Sequence, residues 1–324
     1  VHIAPGVGLF AGTGAVSIDA GGSLTSRTIA GGPVALTSRD GSIFVAGPIA
    51  GAGGRIDISA AGSVEVAHSI TNPGAGSALR ISAGADVLVN AHVGRTDAGV
   101  ASGSVTIDAG NDVVLNESVV TEDGDVTVTA GSGAVETAAG EGLFAGRGDV
   151  TVSSAQTLDV PTLVTSGRVS LTSTGGAVNL RSALGPSTGA VTIQAATDVN
   201  LDERIDNPRD GAHLGVTAGR DIHVNAAING LDAASPGPSG TVTLSAGRNV
   251  ELNEDVITRD SAISLTAGTG AVTWAAGAGL FAGAGPIAVT SGETLETGLT
   301  QTTGTLALRS TAGGVHVDTA IDDT

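Results

Sequence analysis

The 324-residue chain has no cysteine, methionine, tyrosine or lysine, and its aromatic content is only 2%. Without cysteine there is no disulfide staple, no thiol nucleophile and no thiolate metal ligand; the absence is compatible with an oxidising compartment without requiring one. Without lysine, all 14 basic residues are arginine, and 32 acidic residues leave a net charge of −18. That balance, spread over the whole length, argues against nucleic acid and anionic lipid as partners. No apolar run approaches the ~18 residues of a membrane-spanning helix, so no membrane insertion by this segment is expected. There is no signal peptide, transit peptide or initiator methionine, which reads as a mature or excised portion of a longer chain.

What the chain does have is glycine, at 51 positions, and an apolar-x-apolar unit that returns fourteen times. It runs from Val16/Ile18, Val34/Leu36 and Ile56/Ile58, through Val105/Ile107 and Val126/Val128, to Ile287/Val289 and Leu306/Leu308. Successive units are 18 to 28 residues apart, and the order of these intervals nearly restarts after six steps. A period of about 20 is therefore nested in one of about 135, most visibly as Gly-Leu-Phe-Ala-Gly at 8–12, 142–146 and 279–283. Fixed periods of this size mark repeat architectures.

Each element alternates apolar and polar residues over three to six positions between Gly, Asn, Asp, Ser or Pro, the pattern of strands and turns. A typical coil compares Val105-Thr-Ile-Asp-Ala-Gly-Asn-Asp-Val-Val-Leu-Asn116 with Val242-Thr-Leu-Ser-Ala-Gly-Arg-Asn-Val-Glu-Leu-Asn253. Short strands alone would suit a sandwich or barrel; recurrence of equivalent turns selects a solenoid, in which each coil buries its aliphatic stripe against the next. The expected fold is all-β: a parallel β-helix of about fourteen three-strand coils. It forms one continuous segment over 1–324, with super-repeat boundaries near Leu9, Leu143 and Leu280. Neither end carries a polar cap, which reads as a section of a longer rod.

The runs Ser82-Ala-Gly-Ala-Asp-Val-Leu-Val-Asn90 and Thr217-Ala-Gly-Arg-Asp-Ile-His-Val-Asn225 resemble filamentous haemagglutinin-type repeats. So do the matching runs ending at Asn116 and Asn253, and the similarity of repeat grammar covers nearly the whole chain. That family comprises large exoproteins, mostly adhesins, that Gram-negative bacteria secrete by the two-partner route. The resemblance implies a right-handed β-helix and an address that is secreted or on the bacterial cell surface.

Several constellations are candidates for chemistry. Asn90, Asn116, Asn225 and Asn253 share one turn, with Ala67 and Asp202 a rung earlier, and read as a structural ladder of stacked amides. Asp123-Gly-Asp125, with Glu117 and Glu122 nearby, supplies hard oxygens of the kind Ca²⁺ takes; its counterpart Arg259-Asp-Ser-Ala262 has lost most of them. Arg147-Gly148-Asp149 is an integrin-type tripeptide on a turn, found in one copy only, since its counterparts are Thr13-Gly-Ala15 and Ala284-Gly-Pro286. The outward residue of the lead strand is often hydroxylated, as at Thr106, Thr127 and Thr151, but Asp57, Arg80 and Gly215 interrupt the array. The Pro/Ser/Gly loop Leu231–Gly240 lies in the longest rung. Phe10, Phe144 and Phe281 recur at one repeat position, which reads as core or coil-end packing.

The six histidines are not repeated between copies, the acids sit singly on turns, and no Ser-His-Asp set, phosphate loop, zinc spacing or dinucleotide fingerprint is present. No cofactor and no catalysis are expected. The sequence reads as a structural shaft of an extracellular fibre or adhesin, with further copies of itself end to end as partners. Two alternatives are a lateral module for a host surface protein or glycan and, third, a polysaccharide-active enzyme, which would need paired acids.

Overall fold

Alternating aliphatic and hydroxylated side chains suit a pleated strand buried on one face. In the computed structural model all fourteen apolar-x-apolar units are strands, and every pair but the first, Val16/Ile18, and the last, Leu306/Leu308, is buried. The structure describes the chain except residues 52–53, 72–73, 75, 95–101, 161, 186–188, 207–211, 229–239, 318–320 and 323–324. The described residues form strands and turns, with no helix among them. They fall into two compact units, Val1–Gly167 and Arg168–Thr324.

In the first unit, seven lead strands from Val16–Ala20 to Val150–Ser154 pair in parallel, in sequence order. The second strand of each coil, from Leu24–Ser26 to Leu158–Val160, builds another parallel sheet. A third sheet runs from Leu9–Phe10 to Leu163–Thr165. The second unit repeats the plan, with lead strands from Val169–Ser173 to Leu306–Ser310. Its third side starts as single parallel bridges linking Leu184, Ile205, Ile228 and Val256. It widens into strands only from Val256–Ile257 onward. The fold is the parallel β-solenoid that the periodicity calls for.

Register makes the core. Val105 stands on Val126 and Val126 on Val150, while Ile107 stands on Val128 and Val128 on Val152. Ile107, Val128, Leu201 and Leu244 have 0% exposure. Each such side chain contributes about 1.5–3 kcal/mol of hydrophobic stabilisation. Thr106, Thr127 and Thr151 stack on the outer face of the same strands, and Arg80 interrupts the column by pairing with Asp108 at 2.8 Å.

One turn pair recurs at the same place in each copy of the 135-residue super-repeat. Gly6, Gly140 and Gly277 have φ of +80°, +87° and +96°, and Gly12, Gly146 and Gly283 have +58°, +52° and +54°. All six lie in the left-handed region that glycine enters without a Cβ clash. Between them the chain makes the strand that carries Leu-Phe-Ala, and Gly14, Gly148 and Gly285 each donate their N–H three residues back, at 2.8, 2.7 and 2.8 Å.

This geometry corrects one expectation. Leu143 and Leu280 point inward, as do Ala145 and Ala282, so alternation turns the intervening phenylalanine out. Phe10 is 74% exposed, and Phe144 and Phe281 are partly exposed. None of the three is a core residue.

Candidate functional site

The corner that follows Phe144 joins two motifs that are 22 residues or more apart in sequence, Asp123–Asp125 and Arg147–Asp149. Gly146 reverses the chain, after which Arg147 N–H donates to the Glu122 carbonyl at 2.8 Å. Asp149 N–H donates to Oδ1 of Asp125 at 2.8 Å, so the two turns stack directly. The Arg147 guanidinium lies 3.6 Å from Oδ1 of Asp123 and is otherwise turned to solvent, with its side chain 84% exposed. One coil further on, the Thr165 hydroxyl donates to the Gly148 carbonyl, and Ser166 N–H reaches the Gly146 carbonyl at 2.6 Å. Gly148 is buried and Asp149 half-buried, so only the arginine of this tripeptide projects freely.

The same turn forms in the second unit without these side chains. There Ala284 N–H donates to Oδ1 of Asp260 at 3.0 Å, and Gly285 N–H to the Ala282 carbonyl at 2.8 Å. Ala284 and Pro286 stand where the first unit has Arg147 and Asp149, and Pro286 has no N–H to repeat the Asp149 bond. Oxygens of Asp123 and Asp125 face the guanidinium and an amide respectively. Among the described residues, no group of three or more His, Asp or Glu is placed to hold a metal ion.

The amide ladder is made of direct bonds. Asn116 Nδ2 donates to Asn90 Oδ1 at 2.8 Å, and Asn90 Nδ2 to Glu65 Oε1 at 3.2 Å. In the second unit Asn253 donates to Asn225 and Asn225 to Asp202, both at 2.7 Å. All four asparagines are exposed at the corner after the second strand.

Sequence reasoning missed a second ladder, at the residue just before each second strand. Ser42 and Ser63 N–H donate to the hydroxyls of Ser23 and Ser42, and Asp112 and Ala134 N–H to the carboxylates of Asp86 and Asp112. In the second unit, Asp198, Asp221 and Asn249 accept from the N–H of Asp221, Asn249 and Ala271. The signal was present as a recurring Ser, Asp or Asn before each aliphatic pair, but turns favour these residues for many reasons.

Arginines reinforce this ladder. Arg220 Nε donates to Asp198 at 2.7 Å, Arg248 Nε to Asp221 at 2.9 Å, and each arginine makes a second, bidentate contact. Asp221 is 5% exposed. The Arg248 guanidinium, helped by Asn249 N–H, holds its carboxyl down at about 2 against the opposing effect of burial. Asp198 is lowered in the same way by Arg220.

Neighbouring coils also bring His92, Ser118 and Glu141 to one corner. The Ser118 hydroxyl donates to Glu141 Oε2 at 2.5 Å, while His92 Nε2 is buried without a hydrogen-bond partner. Burial pushes this imidazole down, against the pull of Glu117 and Glu141. Residues 231–239 of the Leu231–Gly240 loop lie outside the described residues.

Fold and repeat together define the class, a β-solenoid repeat protein. No family model, curated protein or solved structure matches the chain.

Proposed function

We propose that this chain is a structural shaft segment of a secreted or cell-surface bacterial fibre or adhesin. What supports the reading is the bonding direction. In each unit backbone amides pair with the coil before and after, and the aliphatic core is continuous along the stack. Such a stack resists bending because every deformation shears several parallel ladders at once, and it lengthens without thickening. The shaft sets reach and holds binding regions away from the surface, and further coils or copies continue it end to end. The resemblance to filamentous haemagglutinin-type repeats supports the extracellular address. Electron microscopy and small-angle scattering of the purified chain test the reading: an elongated particle of uniform width is expected, and a compact sphere overturns it. A second reading, a lateral binding module for a host protein or glycan, draws on the exposed Arg147, which the turn itself does not require.

A further inference from the structure

We draw no further inference here: the strongest candidate, the outward face of the lead sheet in the second unit, where uncharged side chains from Ser170 and Thr172 to Ala288 and Thr290 stand in two columns, is a stripe of small residues, and nothing in the structure shows what covers it.

Discussion

Arg248 closes over Asp221 from the following coil. Its Nε donates to Asp221 Oδ1 at 2.9 Å, and the backbone N–H of Asn249 reaches the same oxygen at 3.1 Å. One side chain thus fastens two successive coils through both a guanidinium and the main chain, at a site that is almost closed to water.

This clasp makes part of the acid stability depend on Asp221. A carboxyl held at about 2, below its ordinary 3.8, is ionised in the folded state over a range where the unfolded chain takes up a proton. Its contribution is complete above pH ~4 and is lost as the pH falls through ~2. With Arg248 half-exposed, the contribution should be about 1–2 kcal/mol. In denaturant titrations of the native chain and Asp221→Asn, the stability gap should shrink from pH 5 to pH 2 by that amount. A gap that does not change with pH refutes the clasp.

Core and face residues on the same strand should differ sharply. Leu244 is fully buried, so Leu244→Ala is expected to cost about 2–5 kcal/mol, whereas Thr243→Ala on the outer face should stay within about 0.5 kcal/mol. Chemical denaturation followed by circular dichroism measures both.

Three glycines should rank in a definite order. At Gly283, with φ +54°, an added Cβ would lie 1.6 Å from the Arg259 carbonyl oxygen, which is fixed backbone, so Gly283→Ala should be the most damaging. Gly140 has φ +87° with nothing within 4 Å, leaving only the left-handed strain of about 1 kcal/mol. Gly21 has open space and no such φ, so Gly21→Ala should be neutral. Melting temperatures that fail to follow this order contradict the turn geometry.

The amide ladder predicts coupling between coils. Asn116 and Asn90 share a 2.8 Å bond at an exposed corner, so a double-mutant cycle to alanine should give a coupling of about 0.5 kcal/mol. Asn116 and Asn225, in separate ladders, should show none.

Much of this was legible in the sequence, for a definite reason. A period of two tells which residues of Val105–Ile107 face in, and recurrence tells that the same residues of the next coil lie beside them. What lies at corners was harder. Leu143, Phe144 and Ala145 are all apolar, so alternation alone does not say which two enter the core; the positive-φ glycines at 140 and 146 set that phase. The meeting of Asp123 with Arg147 depends on how many residues each turn consumes, which periodicity does not give. The ladder through Asp86 and Asp112 was hidden because side-chain acceptors serve turns within one coil as readily as between coils.

The side-chain bonds that join neighbouring coils span 16 to 28 positions of sequence. No part of either unit must therefore wait for a distant segment before it can settle, and the entropy of closing each link stays small. A newly emerging length of about one winding suffices to dock on what is already in place. Such a chain can be assembled progressively from one side, each winding using the last as its template.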